Sequence, residues 1–280
     1  MKTANDDDVP KSKLIFSNPR DEAAEAAFLR RYRLGDFPRP SVSVGIAAFS
    51  VLDAELRVLL IRRGEHPFKG AWALPGGFVR VRDGRHQQGE DLDVAATREL
   101  EEETGLRGTD VHLEQLGAFG EAGRDPRMRV IAVAYYALVR PELVPLVRSG
   151  GDAAGVAGVD WAPVNALQAP AMAFDHHRIL LCALSRMAER VGSSSIASAL
   201  VPKVFTVPEL RHVHAIIMGA TGKMGATGKP HDADRFRRTF ERMLDEGILE
   251  RAPGRGAMAS APVYRFVEGT ASPTEHAASR

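Results

Sequence analysis

Hydrophobic and polar positions along this chain change period several times, and each change marks an element. Ser41 to Val51 and Leu56 to Arg62 are runs rich in Val, Ile and Leu, and they read as two strands joined by a tight turn at Asp53-Ala54. Two further strands are expected near Val111 to Phe119 and Arg129 to Leu138. Between these pairs, Asp93 to Glu103 is built of Ala, Leu, Arg and Glu and reads as a helix that Gly105 can end. After the glycine-rich loop Gly150 to Gly158, Asp160-Trp-Ala-Pro163 reads as a short strand end. Asp175 to Val191 then repeats apolar residues at Ile179, Leu180, Ala183, Leu184 and Met187, the stripe of a second helix. Mixed strands with helices on two faces predict an α/β class, an α/β/α sandwich over residues 35–192. Residues 1–34 read as a loosely ordered lead-in with a short helix around Asp21 to Arg33.

The pattern restarts after Gly192-Ser-Ser-Ser195. Pro208 to Met218 carries Leu210, Val213, Ile216 and Ile217 as an apolar stripe. In the glycine-rich turn that follows, Gly-Ala-Thr-Gly-Lys occurs twice, at Gly219 to Lys223 and Gly225 to Lys229. No strand precedes it and it lacks the full phosphate-loop pattern, so it is not read as a nucleotide loop. Asp232 can cap a second helix running to about Glu246. Ile248 to Arg251 and Val263 to Val267 then read as two strands. Helix, turn, helix, β-hairpin is the order of a winged helix-turn-helix, expected over residues 193–268, with 269–280 a disordered tail. On its second helix Phe236, Phe240, Met243 and Leu244 fall to one side, while Arg235, Arg238 and Arg242 fall opposite, with Arg237 at the edge. Such a row suits a helix in a DNA major groove, and Arg251 and Arg255 on the hairpin would sit beside the neighbouring backbone. A solvated face of alternating Arg, Asp and Glu fits the helix alone equally well.

Composition narrows the setting. A chain of 280 residues, 44% hydrophobic and 26% charged, is that of a soluble globular protein with room for one large or two ordinary domains. Cys182 is the single cysteine, which excludes an internal disulfide and suits a reducing cytoplasm. No apolar run approaches the roughly 20 residues that span a bilayer, so no membrane role is expected. Net charge is +1, but Val201 to Glu268 holds eleven Lys and Arg against eight Asp and Glu, hence about +3. That mild excess is weak evidence for nucleic acid by itself.

The densest chemistry lies in Gly84 to Leu106. Glu99, Glu102 and Glu103 are three or four residues apart on the first predicted helix, so they are expected to share one face. Like charges this close repel unless a cation sits among them, and Mg²⁺ takes such oxygen ligands, completed by waters and substrate phosphates. A lone run of Glu would read as a solvated face. Nine specified positions at fixed spacing, Gly84, Glu90, Arg98, Glu99, Leu100, Glu102, Glu103, Gly105 and Leu106, point to a site instead. The segment resembles the Nudix box, G-x5-E-x7-R-E-U-x-E-E-x-G-U with U aliphatic. The resemblance implies metal binding by Glu99, Glu102 and Glu103, catalytic use of Glu102 and Glu103 if the box is active, and a structural Arg98–Glu90 pair. Ala71-Trp-Ala-Leu-Pro-Gly-Gly-Phe78 looks like the strand leading into it. In typical members the box glycine is the second of that Gly-Gly pair, so Arg80 to Gln88 reads as an insertion.

The two halves together resemble the NrtR-type Nudix-related transcriptional regulators from about Arg39 to Phe266. The carriers are Leu59-Leu-Ile-Arg-Arg-Gly64, Pro67 to Val79, Ala173-Phe-Asp-His176, Phe205-Thr-Val-Pro-Glu-Leu210 and Phe236-Arg-Arg238. This resemblance implies a homodimer that represses NAD-metabolism genes at a near-palindromic double-stranded operator and leaves it on binding ADP-ribose or a related nucleotide. Arg62 and Arg63, at a strand end near the expected cleft, can meet a diphosphate by bidentate contacts. Asp175 and His176 are ligand candidates at a helix start, where Asp is also an ordinary cap. Trp72 and Trp161 are read as core. The alternative to a sensor is a Mg²⁺-dependent ADP-ribose pyrophosphatase, alone or bifunctional. The inserted segment weighs toward little or no hydrolysis.

Overall fold

Val44 to Ser50 is buried without interruption inside strand β1, Ser41–Leu52. Its residues alternate between two apolar layers. Val44, Ile46 and Ala48 join Ala95, Ala96 and Leu100, while Ala47 and Phe49 join Ile179, Leu180, Ala183 and Met187. That alternation is the period of a strand covered on both faces. The first set of partners belongs to helix α2, Leu92–Thr104, and the second to α3, His176–Arg190. The expected α/β/α sandwich follows. In this computed structural model, residues 22–33, 38–81, 89–150, 155–167, 171–191, 195–220, 231–254 and 261–267 are described. The chain forms two compact units, Met1–Arg39, which contains α1 (Glu22–Arg31), and Pro40–Arg280.

β1 turns into β2, Glu55–Arg63, through Asp53 and Ala54, both at positive φ (50 and 61). Two left-handed residues are what a tight hairpin between right-twisted strands requires. β1 also runs parallel to β5, Val130–Leu138, and β5 pairs antiparallel with β4, His112–Phe119. β3, Trp72–Ala73, and β6, Val156–Pro163, both pair with β2. β6 therefore begins inside the stretch expected to be a glycine-rich loop. The start of β1 takes its other partner from Pro75 to Val79, which bonds Val44 and Ile46 through the carbonyls of Gly77 and Pro75.

β7, Phe205–Thr206, a strand the periodicity did not show, opens the C-terminal part. It is followed by α4, Val207–Ala220, α5, His231–Asp245, β8, Leu249–Arg251, and β9, Val263–Phe266, with sheet order β7-β9-β8. Thr206 and Glu209 form a reciprocal cap on α4: Glu209 accepts from the Thr206 N–H at 2.6 Å and Thr206 Oγ1 accepts from the Glu209 N–H at 3.4 Å. α5 begins one residue before Asp232, and residues 221–230 between the helices, with most of the Gly-Ala-Thr-Gly-Lys repeat, lie outside the described residues. The expected stripes are buried, with Leu210, Val213 and Ile217 on α4 and Phe236, Phe240 and Met243 on α5. They belong to the same apolar cluster as α3 and one face of the β1 sheet, and α4 packs directly on α3 and β2. Among the described residues, Val191 and Ile196, on either side of the expected boundary near residue 193, both belong to that cluster. No described helix is long and apolar enough to cross a membrane.

Candidate functional site

Glu103 is the deepest acid of the box. It is 6% exposed and accepts a hydrogen bond from the Gly76 N–H at 2.7 Å. Burial lifts its carboxyl to about 8, against that bond and with added repulsion from Glu99. Burial also raises Glu99, opposed by Arg98. In the Pro75-Gly76-Gly77 turn, Gly76 has to be glycine. Gly76 has φ +151 and a side chain there would strike the Val44 carbonyl, while one on Gly77 would strike the Glu99 carboxylate. The helix ends as expected, with Gly105 left-handed (φ 75) and bonded to the Glu101 carbonyl.

Arg98 organises the acids. Its guanidinium meets Glu90 at 2.5 and 2.9 Å, Glu99 at 2.7 Å and Glu102 at 2.9 Å. Glu90 above all holds the arginine in its charged form, and the same bond holds the Glu90 carboxyl below its ordinary range. The long segment before Glu90 is closed at its base, because the Glu90 N–H bonds the Arg80 carbonyl (2.9 Å) and the Arg80 N–H bonds Glu90 Oε1 (2.8 Å). Residues 82–88, Gly84 among them, lie outside the described residues. Gly77 abuts the Glu99 carboxylate, and Gly76 bonds that of Glu103.

Glu99, Glu102 and Glu103 stand close to one another, since Arg98 Nη1 bonds both Glu99 and Glu102, but the three do not line the same opening. Glu99 and Glu103 line the cleft; Glu102 lines a separate groove with Asp93, Val94, Thr97 and Glu101. Successive helix residues turn by about 100°, so neighbours 102 and 103 diverge. Among the described residues no three carboxylate or imidazole groups converge to hold a metal ion. Glu99 and Glu103 fit a single hard cation: one partly buried and one buried carboxylate, each with burial working against its charge, gain from a positive charge between them.

Opposite the acids, the cleft is cationic and aromatic. Arg63 lies over the Phe174 ring at 5.0 Å, and Arg127 lies 5.3 Å from the Phe78 ring and 6.0 Å from Phe174. Asp125 clamps Arg127 at 3.0 and 2.8 Å. Burial lowers the Arg63 pKa, and Arg127 lowers it further, so an anion bound between these guanidiniums relieves both. Arg62 does not line the cleft; it is exposed and donates to the Gly70 carbonyl at 3.3 Å. Asp175 makes no side-chain cap on α3, because Arg124 holds it by bonds of 2.5 to 3.1 Å. His176 lines the cleft, and its Nδ1 accepts the Leu74 N–H at 3.0 Å. Burial lowers its pKa to about 4, so it stays neutral and positions the turn that carries Gly76.

On α5, Arg237, Arg238 and Arg242 are exposed. Arg237 pairs with Asp234 (3.2 Å) and Glu241 (4.0 Å), and Arg242 with Glu246 (4.0 Å). Arg238 has no carboxylate partner among the described side chains. The Arg235 side chain and Arg255 lie outside what is described.

Residues 42–183 match the NUDIX domain model. The ADPR responsive transcriptional repressor NtrR of Acinetobacter baylyi is 32% identical over 248 residues, 87% of this chain and 89% of that one. The chain belongs to the NUDIX family, in its NrtR-type branch. Shewanella oneidensis NrtR complexed with a 27mer DNA matches with TM-score 0.60 and 29% identity over 82% of this chain and 95% of that one. Its NUDIX domain complexed with ADP ribose matches with TM-score 0.50 and 31% identity over 58% and 98%. In this NrtR-type chain, sequence reasoning missed Arg124, Asp125, Arg127, Phe78 and Phe174. The signal available was the run Arg124-Asp-Pro-Arg127, charged and turn-forming between two strands.

Proposed function

We propose that this chain is a DNA-binding transcriptional repressor that ADP-ribose, held in the Nudix cleft, releases from its operator. The carrying observation is the single apolar core that continues from the cleft helix α3 into α4 and α5. Arg63 and Arg127 meet the diphosphate, and His176 and the Arg124–Asp175 pair hold the start of α3 against the cleft wall. Glu99 and Glu103 are the candidate ligands of one Mg²⁺, which would neutralise diphosphate charge. The arginine row of α5, Arg235, Arg237, Arg238 and Arg242, contacts DNA, with Arg255 beside it on the hairpin. Residues 35–192 act as the effector domain and 193–268 as the reader. The working form is a homodimer in the cytoplasm on a near-palindromic operator of NAD-metabolism genes, because helix-turn-helix readers pair two half-sites through their own two-fold axis.

The complete box carboxylate set favours a second reading, hydrolysis of ADP-ribose to AMP and ribose 5-phosphate. We expect turnover to be slow or absent. Turnover at ordinary enzyme rates, abolished by Glu102→Gln, would make the chain bifunctional. The deciding experiment for the main reading is a gel-shift titration on the DNA upstream of the chain's own gene. ADP-ribose should dissolve the complex; a complex indifferent to ADP-ribose would overturn the reading.

A further inference from the structure

Of Glu99, Glu102 and Glu103, Glu102 is the one whose two oxygens are both held by arginines among the described residues. Oε1 accepts from Arg80 Nη2 at 3.0 Å and Oε2 from Arg98 Nη1 at 2.9 Å. Glu99 gives Oε1 to Arg98, and Glu103 gives Oε2 to the Gly76 N–H. One oxygen of each of those two therefore lacks a donor among the described residues, and both acids line the cleft, whereas Glu102 lies on the other groove.

We propose that Arg80 withdraws Glu102 from metal chemistry, so that this box holds at most one divalent ion, between Glu99 and Glu103, and binds its diphosphate without the second ion that Glu102 would help to hold. The physical reasons are charge and position. Arg80 and Arg98 both hold Glu102, so a divalent ion bound there has two guanidiniums to displace, whereas one bound at Glu99 displaces Arg98 alone. Arg98 alone would not suffice as a marker, since Glu90 fixes it for structural reasons. Arg80 is different. Its backbone is pinned to Glu90, so its side chain is delivered beside Glu102, yet it is half exposed and replaceable without opening the core. Two ions about 4 Å apart can clamp both the attacking and leaving oxygens of a phosphoryl reaction. A box reduced to one keeps charge neutralisation for binding and loses that clamp. The inference rests on reading the cleft as a diphosphate site, and its test is made without nucleotide so that the two can fail separately.

The test is Mn²⁺ titration of the full chain, with free Mn²⁺ followed by its paramagnetic resonance signal, for the native protein and for Arg80→Ala, Arg80→Lys, Glu99→Gln and Glu102→Gln. Circular dichroism verifies folding. The native chain should bind one ion or none at millimolar metal, Glu102→Gln should match it within twofold, and Glu99→Gln should weaken any binding at least tenfold. Arg80→Ala should bind about three- to tenfold tighter or gain a second ion, Arg80→Lys should stay native-like, and adding Glu102→Gln to Arg80→Ala should erase the gain. Two bound ions in the native chain, a Glu102→Gln defect as large as that of Glu99→Gln, or no change in Arg80→Ala would overturn the proposal. A gel shift with ADP-ribose on the same variants tests the sensor reading independently.

Discussion

In the cleft, Glu103 is buried and Arg63 and His176 are partly buried, all three shifted from their ordinary ionisation and fixed by groups from other elements, whereas on α5 Arg237 and Arg242 are exposed and paired with acids three or four residues away. The first arrangement has fixed geometry, because each partner is delivered by a different strand, helix or loop. The second exchanges partners cheaply: exposed i,i+4 pairs contribute about 0–1 kcal/mol, so a phosphate can replace a carboxylate at little cost. A cleft built this way suits one shaped ligand, and a helix built this way suits a polyanion contacted at several points.

The sharpest separation of the two regions is expected from Arg63→Ala. Removing a charge-assisted bond to a diphosphate costs about 1.5–3 kcal/mol, so ADP-ribose affinity by calorimetry should fall about 10- to 100-fold, while effector-free operator affinity stays native. A parallel fall in operator affinity would mean that Arg63 supports the fold rather than the ligand. Arg238→Ala should do the converse. It should weaken operator binding by about 1–3 kcal/mol if it reads a base, or lower the salt slope by about one if it meets a phosphate, with ADP-ribose affinity unchanged. Native operator binding in single alanine variants of Arg235, Arg237 and Arg238 alike would contradict the assignment of α5.

A smaller effect is expected from pH. His176 is neutral in the fold down to about 4, while in the unfolded chain it takes up a proton near its ordinary value of 6.5. The unfolded state therefore binds more protons between those values, so stability from this group is present above 6.5 and is lost as pH falls towards 4. The native chain should lose on the order of 1 kcal/mol more than His176→Asn between pH 7 and 5, measured by urea unfolding. Equal pH slopes would show that the imidazole is not held as described. Least affected should be Arg237→Ala, because meeting a phosphate there replaces contacts to Asp234 and Glu241 rather than adding one; a loss below about 1 kcal/mol in operator binding is expected.

What the sequence disclosed follows the same division. α2, its glycine end and the apolar stripe of α5 were legible because helical spacing and cap chemistry are local. The Thr206-x-x-Glu209 cap lay in the segment quoted for family resemblance and needed no tertiary information to form. β6 was hidden because its first residues, Val156-Ala-Gly158, continue a glycine and alanine run, and β7 because two residues carry no period. The cleft was only half visible. Asp175 read as a ligand candidate or an ordinary cap, yet its partner is Arg124, from a loop 51 residues earlier. Glu102 was grouped with Glu99 and Glu103; Arg98 does join it to Glu99, but it lines a different groove from the cleft. Side chains gathered from separate elements leave no spacing to read.

The central claim is that effector and operator compete through the core shared by α3, α4 and α5. Binding linkage is reciprocal, so the factor by which ADP-ribose weakens operator binding must equal the factor by which operator weakens ADP-ribose binding. The most direct measurement is the calorimetric Kd of ADP-ribose for the full chain, free and saturated with operator DNA. A weakening of about 5- to 100-fold on the DNA complex, equal to that seen for operator in the gel shift, is predicted. The same Kd in both states would contradict the account.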